Sequence, residues 1–148
     1  MSAYGTMDSA ILGNLYGFDA DIESYPCSAA VTPGRPIYQT PGTVTTVHTA
    51  YSAGDVFLGV AVASQRADIA SVGTYEQYEV VNVLSRGKIW VQAAAAVSTA
   101  PVAAYATDAG LFSTTASGNY NVGAMFRTNQ ATASGLIVLE VNGPKLVA

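Results

Sequence analysis

From Ile37 to Val141 the chain never runs far before a turn former interrupts it, and the runs in between are rich in β-branched and aromatic residues. Such side chains fit a pleated, half-buried surface, whereas a helix needs apolar residues three and four apart over a longer stretch. The runs are Thr43–Thr49, Asp55–Val62, Gln77–Val83, Lys88–Gln92, Pro101–Tyr105, Gly110–Thr114, Val122–Thr128 and Leu136–Val141. Their spacing of about ten residues is that of a sandwich or barrel rather than of alternating strands and helices. The expected fold is therefore all-β: a compact β-barrel or β-sandwich of short antiparallel strands. Ser85-Arg86-Gly87 predicts a hairpin turn between Gln77–Val83 and Lys88–Gln92, and Asp108-Ala109-Gly110 a turn before Leu111. Gly59, inside an apolar run, marks a bulge or a close backbone approach. The alanine-rich stretch Gln92–Ala100 is weakened as a helix by Val97, Ser98 and Thr99 and stopped by Pro101. Asp68–Val72 has room for one helical turn.

The leading segment reads differently. Met7, Ile11, Leu15 and Phe18 fall at helical spacings, while Gly5, Gly13 and Gly17 each oppose a helix by about 1 kcal/mol. Residues 1–34 are expected to form an arm, extended or briefly helical, ordered by what it packs on. Residues 35–148 form the β domain, entered through Tyr25-Pro26 and the turn-rich Thr32-Pro33-Gly34-Arg35-Pro36. Tyr4, Met7, Ile11, Leu15, Tyr16, Phe18 and Tyr25 are the candidate contact residues of this arm, since tyrosine and large apolar side chains suit surfaces that meet other proteins.

At 148 residues the chain is one ordinary domain with room for a real core. Charged residues make up only 11% of it, where about 25% is usual. A solitary particle keeps its surface wet mainly with charge, so much of this surface is expected to lie against other protein. The net charge of −4 resides in the leading segment, whose Asp8, Asp19, Asp21 and Glu23 face no Lys or Arg before Arg35. A neutral body with an acidic leader argues against nucleic acid and against anionic membrane surfaces, both of which need a basic patch. The start Met1-Ser2-Ala3-Tyr4-Gly5 lacks the basic and apolar regions of a signal peptide. No run approaches the roughly 20 apolar residues that cross a bilayer.

Chemistry is thinly represented. One cysteine, Cys27, excludes an internal disulfide and a thiolate zinc cluster, and reads as a small semi-buried residue. His48 is the single histidine; no carboxylate is close to it along the chain, so it reads as a surface or edge-strand residue and not a general base. The carboxylate pairs Asp19/Asp21 and Glu76/Glu79 read as solvated arm charges and strand-end polar residues. No phosphate loop, dinucleotide fingerprint, hydrolase elbow or calcium loop is present. The expectation is no enzyme, no cofactor and no metal site. Trp90, between Ile89 and Val91, reads as core rather than as part of a sugar-binding platform.

From Arg35 to Val141 the order of elements resembles the structural cement, or decoration, proteins of tailed-phage heads. The likeness rests on Gly54-Asp55-Val56-Phe57-Leu58-Gly59-Val60-Ala61, on Tyr78 through Val91, and on Pro101-Val102 through Gly110-Leu111-Phe112-Ser113. Val122-Gly123-Ala124-Met125-Phe126 and the ending Ser134 through Val141 complete it. The resemblance implies an all-β body, a homotrimer, and attachment to the outer surface of the icosahedral shell, with the major capsid protein as partner. The place implied is the virion, after synthesis in the host cytoplasm. Another virion part, such as a tail or neck protein, and a carbohydrate- or host-surface-binding β module are the competing readings.

Overall fold

Nine strands carry the described part of the chain: β1 (Asp21–Pro26), β2 (Pro36–Gln39), β3 (Val56–Ala61), β4 (Val80–Gln92), β5 (Val102–Ala106), β6 (Phe112–Ser113), β7 (Tyr120–Phe126), β8 (Leu136–Asn142) and β9 (Lys145–Leu146). The computed structural model describes residues 12–13, 15–16, 20–63, 75–133 and 135–147, and among these there is no helix. The expected turn at Asp68–Val72 lies outside the described residues. All strand pairings are antiparallel, in the order β2-β3-β4-β8-β7-β5-β6, with β1 added to β4 and β9 to β3. The sheet curls into a half-barrel. Phe112 in β6 bridges Ala93, just past β4, and its carbonyl accepts from Ala94 N, which draws the far edge back toward the middle.

β4 is the spine. Its thirteen residues run straight through the Ser85-Arg86-Gly87 tripeptide where a hairpin was expected. That tripeptide is a bulge. Asp21 sits opposite Arg86 and Ile22 opposite Leu84, so Ser85 is the extra residue. Gly87, at φ 137°, takes up backbone geometry that a side chain would resist. The turn-forming composition bends the strand because each half already has a partner: β1 along Val80–Arg86 and β8 along Arg86–Gln92.

The bulge also swaps which side chains point where. A one-residue slip sends every following residue to the opposite face. Before it, Val81 and Val83 belong to one apolar cluster and Leu84 to the other; after it, Ile89 and Val91 join Leu84's cluster. β3 behaves the same way. Ile37 pairs Gly59 while Tyr38 pairs Phe57, so Leu58 is extra. A Cβ on Gly59 would lie 2.0 Å from the Leu84 carbonyl oxygen, so the expected bulge and close approach are both present.

Two cores result. The main one holds Phe57, Leu84, Ile89, Phe112, Phe126, Ile137 and Leu139 inside the half-barrel. The smaller one, on the other face of β2 to β4, holds Cys27, Val31, Ile37, Val47, Leu58, Tyr75, Val81 and Val83. Thr43–Thr49, expected as a strand, contributes only bridges at Val47 and His48. Its first residues follow a tight turn in which Thr43 N donates to Thr40 O, and they stay exposed, so β-branched composition meets no neighbour to pair with.

Candidate interaction surfaces

The expected arm contacts divide. Tyr4, Met7, Ile11 and Phe18 lie outside the described residues. Leu15 forms a bridge with Ile89, and its side chain packs on the main core. Tyr16 points the other way, as strand alternation requires. Its N–H donates to Lys88 O at 2.9 Å, and its ring lies 5.8 Å from that of Trp90. Of the two conformations expected for the arm, Leu15 and Tyr16 adopt the extended one. Tyr25 falls within β1 and packs against the smaller core; its hydroxyl donates to Glu23 Oε1 at 2.9 Å. Burial, together with that hydrogen bond and the Glu23 charge, raises the Tyr25 pKa.

Trp90 is not core, contrary to expectation. The bulge at Ser85 puts it on the outer face of β4, half-buried, across from Val138 and against Tyr16. Sequence alternation alone cannot foresee this, because the parity changes five residues earlier.

Several exposed apolar side chains escaped sequence reasoning. Tyr78, Val80 and Ile22 are exposed by 69%, 57% and 43%; Val80 and Ile22 belong to the ribbon formed by β1 and the start of β4, and Tyr78 to the turn just before it. Val44, Leu146 and Met125 are exposed elsewhere. No sequence signal marks them: a β run does not reveal which of its faces lacks a cover.

The polar candidates turn out to be structural. His48 does have a carboxylate partner, correcting the reading from chain proximity. Its Nε2 lies 2.6 Å from Oδ2 of Asp55, which is fully buried. Asp55 also accepts from Ser52 N at 2.9 Å and from Thr40 Oγ1 at 3.0 Å. Burial pushes the Asp55 pKa up, but the hydrogen bonds from His48, Ser52 and Thr40 outweigh it and hold the group below its ordinary value. Together they pin the loop between β2 and β3. Among the described residues, no hydroxyl or thiol is hydrogen-bonded to the His48 ring. Cys27 is fully buried and donates to Glu76 O at 3.0 Å; burial raises its pKa, so it is a poor nucleophile. A cleft of about 270 Å³ is lined by Thr32, Arg35, Thr49, Asp108 and Ala109. It falls below the roughly 300–1,000 Å³ usual for small-molecule sites, and Arg35 is engaged there by the Ala109 carbonyl.

What remains is a body with apolar and aromatic side chains displayed along one ribbon and beside the leading segment. The family described as structural cement protein (E217 gp24/Pam3 gp6) matches residues 2–142. The chain belongs to the structural cement protein family. The match takes in the leading segment as well as the body from which the resemblance was read. This cement protein is also similar in fold to a chain of a solved structure, "The capsid of Myoviridae Phage XM1". The TM-score is 0.72, with 18% identity over 89% of each chain. No match was found among curated proteins. The cement protein is thus a structural component of a phage virion, with a capsid cement role at the capsid surface.

Proposed function

We propose that the cement protein is a homotrimer that grips the major capsid protein on the outer face of the icosahedral head, reinforcing the shell by non-covalent contact and no chemistry. The leading segment, with Tyr4, Met7, Ile11, Leu15, Tyr16, Phe18 and Tyr25, is the reaching element. The observation that carries this is Tyr16. Where the leading segment meets β4, this ring rests on Trp90 yet remains 40% exposed, an aromatic anchor with one side supported and one side open. A chain with only 11% charged residues is suited to permanent contacts, which are more hydrophobic than transient ones. Binding the assembled shell in preference to free subunits stabilises the shell by mass action.

Leu15 and β1 are part of the body's own packing, so the deletion that tests the reaching element ends before Leu12. Removing residues 1–11 should leave a protein that melts as the full chain does but binds cement-free shells at least tenfold more weakly. Tyr16→Ala should weaken binding in the same direction. A truncated form that decorates shells normally overturns the role of the arm, and a strictly monomeric native mass at high concentration overturns the homotrimer.

A further inference from the structure

The ribbon made by β1 and the start of β4 carries more than its share of exposed apolar surface, and it ends in an open edge. Pro26 O accepts from Val47 N, and Asn82 O accepts from Val62 N, so both carbonyls point away from the β1–β4 seam. In an antiparallel pair such residues alternate with those that exchange hydrogen bonds. The pairs Pro26–Val80, Ser24–Asn82 and Ile22–Leu84 are therefore the non-bonded ones. Ile22 and Ser24 consequently turn their backbone N–H and C=O outward, away from β4. On that side Val47 takes the Pro26 carbonyl and bridges Cys27, and among the described residues no strand pairs with Ile22 or Ser24. Edges of this kind accept an added strand unless they are blunted.

The side chains around the edge favour one sort of partner. Ile22 and Pro26 of β1 share a face with Val80 of β4, giving an incoming strand apolar contacts. Tyr78, two residues before Val80, has φ 69°, a conformation uncommon for a non-glycine residue, and shows 69% of its surface. Around these lie Asp21, Glu23, Glu76 and Glu79, against one base within the two segments, Arg86, 3.9 Å from Asp21. A second copy offering the same edge across a two-fold axis would set carboxylate against carboxylate. The complementary occupant is cationic.

From this we infer that β1 is an acceptor strand, completed on the virion by an extended, Lys- or Arg-bearing segment of the shell protein. The segment pairs with the Ile22 and Ser24 backbone and rests on Ile22, Val80 and Tyr78. This deepens the reading of the protein as a grip on the shell and places a second contact on β1, beyond residues 1–11 that the deletion removes.

The test uses full-length protein and cement-free expanded shells of the same phage. Ser24→Pro deletes the outward N–H without touching a β1–β4 ladder bond, and should reduce shell binding at least tenfold while the melting temperature barely changes. Ser24→Ala loses the Ser24–Asn82 side-chain bond but keeps the N–H, and should bind normally. Should the proline variant fold poorly, Ile22→Lys puts a cation at the same exposed edge and should weaken binding likewise. Tyr78→Gly should hold or raise the melting temperature while weakening binding, and binding of the parent protein should fall as salt is added. Shells bound equally by parent, Ser24→Pro and Ile22→Lys proteins overturn strand addition alone; parent protein that ignores shells overturns the grip itself. A Ser24→Pro variant that loses its oligomeric state but not its affinity for shells identifies the occupant as a second copy, which also overturns the inference.

Discussion

In the barrel half of the molecule, formed by β5 to β8 and the end of β4, β7 shows simple alternation. Val122, Ala124 and Phe126 of β7 point into the main core while Asn121, Gly123 and Met125 point out. In the other half, around β2, β3 and the start of β4, both faces of the sheet are covered: one by the main core, the other by a smaller layer of loops and Tyr75. The first arrangement gives β7 one face in a deep core and one in water. The second gives a thinner layer whose outermost strand, β1, has exposed side chains at nearly every position. Deep packing resists mutation at the surface and fails in the centre; a thin layer fails locally. Adhesion is more readily built on the thin half, because there strand edge and apolar side chains are displayed together.

The largest effect should come from the barrel half. Phe126→Ala removes a fully buried ring from the main core and should cost about 3–5 kcal/mol in denaturant unfolding, with the whole transition shifted. If only part of the protein loosens, the barrel half is not the foundation of the fold.

Next is the pin on the loop between β2 and β3. Asp55→Ala leaves His48 without its partner and should cost about 3 kcal/mol at neutral pH. Because the Asp55 pKa is lower folded than unfolded, its contribution is complete above the ordinary carboxylate value of about 3.9 and is lost as pH falls through the depressed folded value. Denaturation midpoints measured from pH 7 downward should therefore fall below about pH 4, and Asp55→Asn should flatten that acid limb. An unchanged limb means that other carboxylates govern acid lability.

A smaller effect belongs to the thin half. Val83→Ala, in the smaller core and opposite Glu23, should cost about 2 kcal/mol. It should speed amide exchange in β1 well before β7 and β8; uniform loosening would show that the halves form one cooperative unit.

Smallest is a change at Tyr38 of β2. Tyr38 packs edge-on to Phe57 and Tyr51 inside the main core, with its hydroxyl buried and without a hydrogen-bond partner among the described residues. Tyr38→Phe should be neutral or stabilise by up to about 1 kcal/mol, since a buried unpaired hydroxyl is a cost. A clear loss of stability would mean that the hydroxyl has a partner.

Much of the strand inventory was legible in the chain. Val102–Ala106, the turn at Asp108-Ala109-Gly110, Leu136–Asn142 and the close approach at Gly59 follow from β-branched runs punctuated by glycine and proline. Less legible was anything that depends on a partner. Ser85-Arg86-Gly87 has the composition of a turn and became a bulge because β1 and β8 hold the strand on either side of it. Thr43–Thr49 has the composition of a strand and stayed largely loop for want of a neighbour. Of the expected contact residues, Leu15 and Tyr25 went partly to the protein's own cores, while Tyr78 and Val80 were displayed without any local sign.

By itself the sequence determined that the fold is all-β, that charge is too sparse to cover a lone particle, and that the chain resembles phage cement proteins. The first two follow from composition and period, which are local properties; the resemblance follows from the order of motifs along the chain. Tertiary structure alone decided which face each side chain serves, that His48 meets Asp55, and that among the described residues no strand pairs with Ile22 and Ser24 on the acidic outer side of β1. Such outcomes turn on single-residue slips and on distant partners, and a period of two is silent about both.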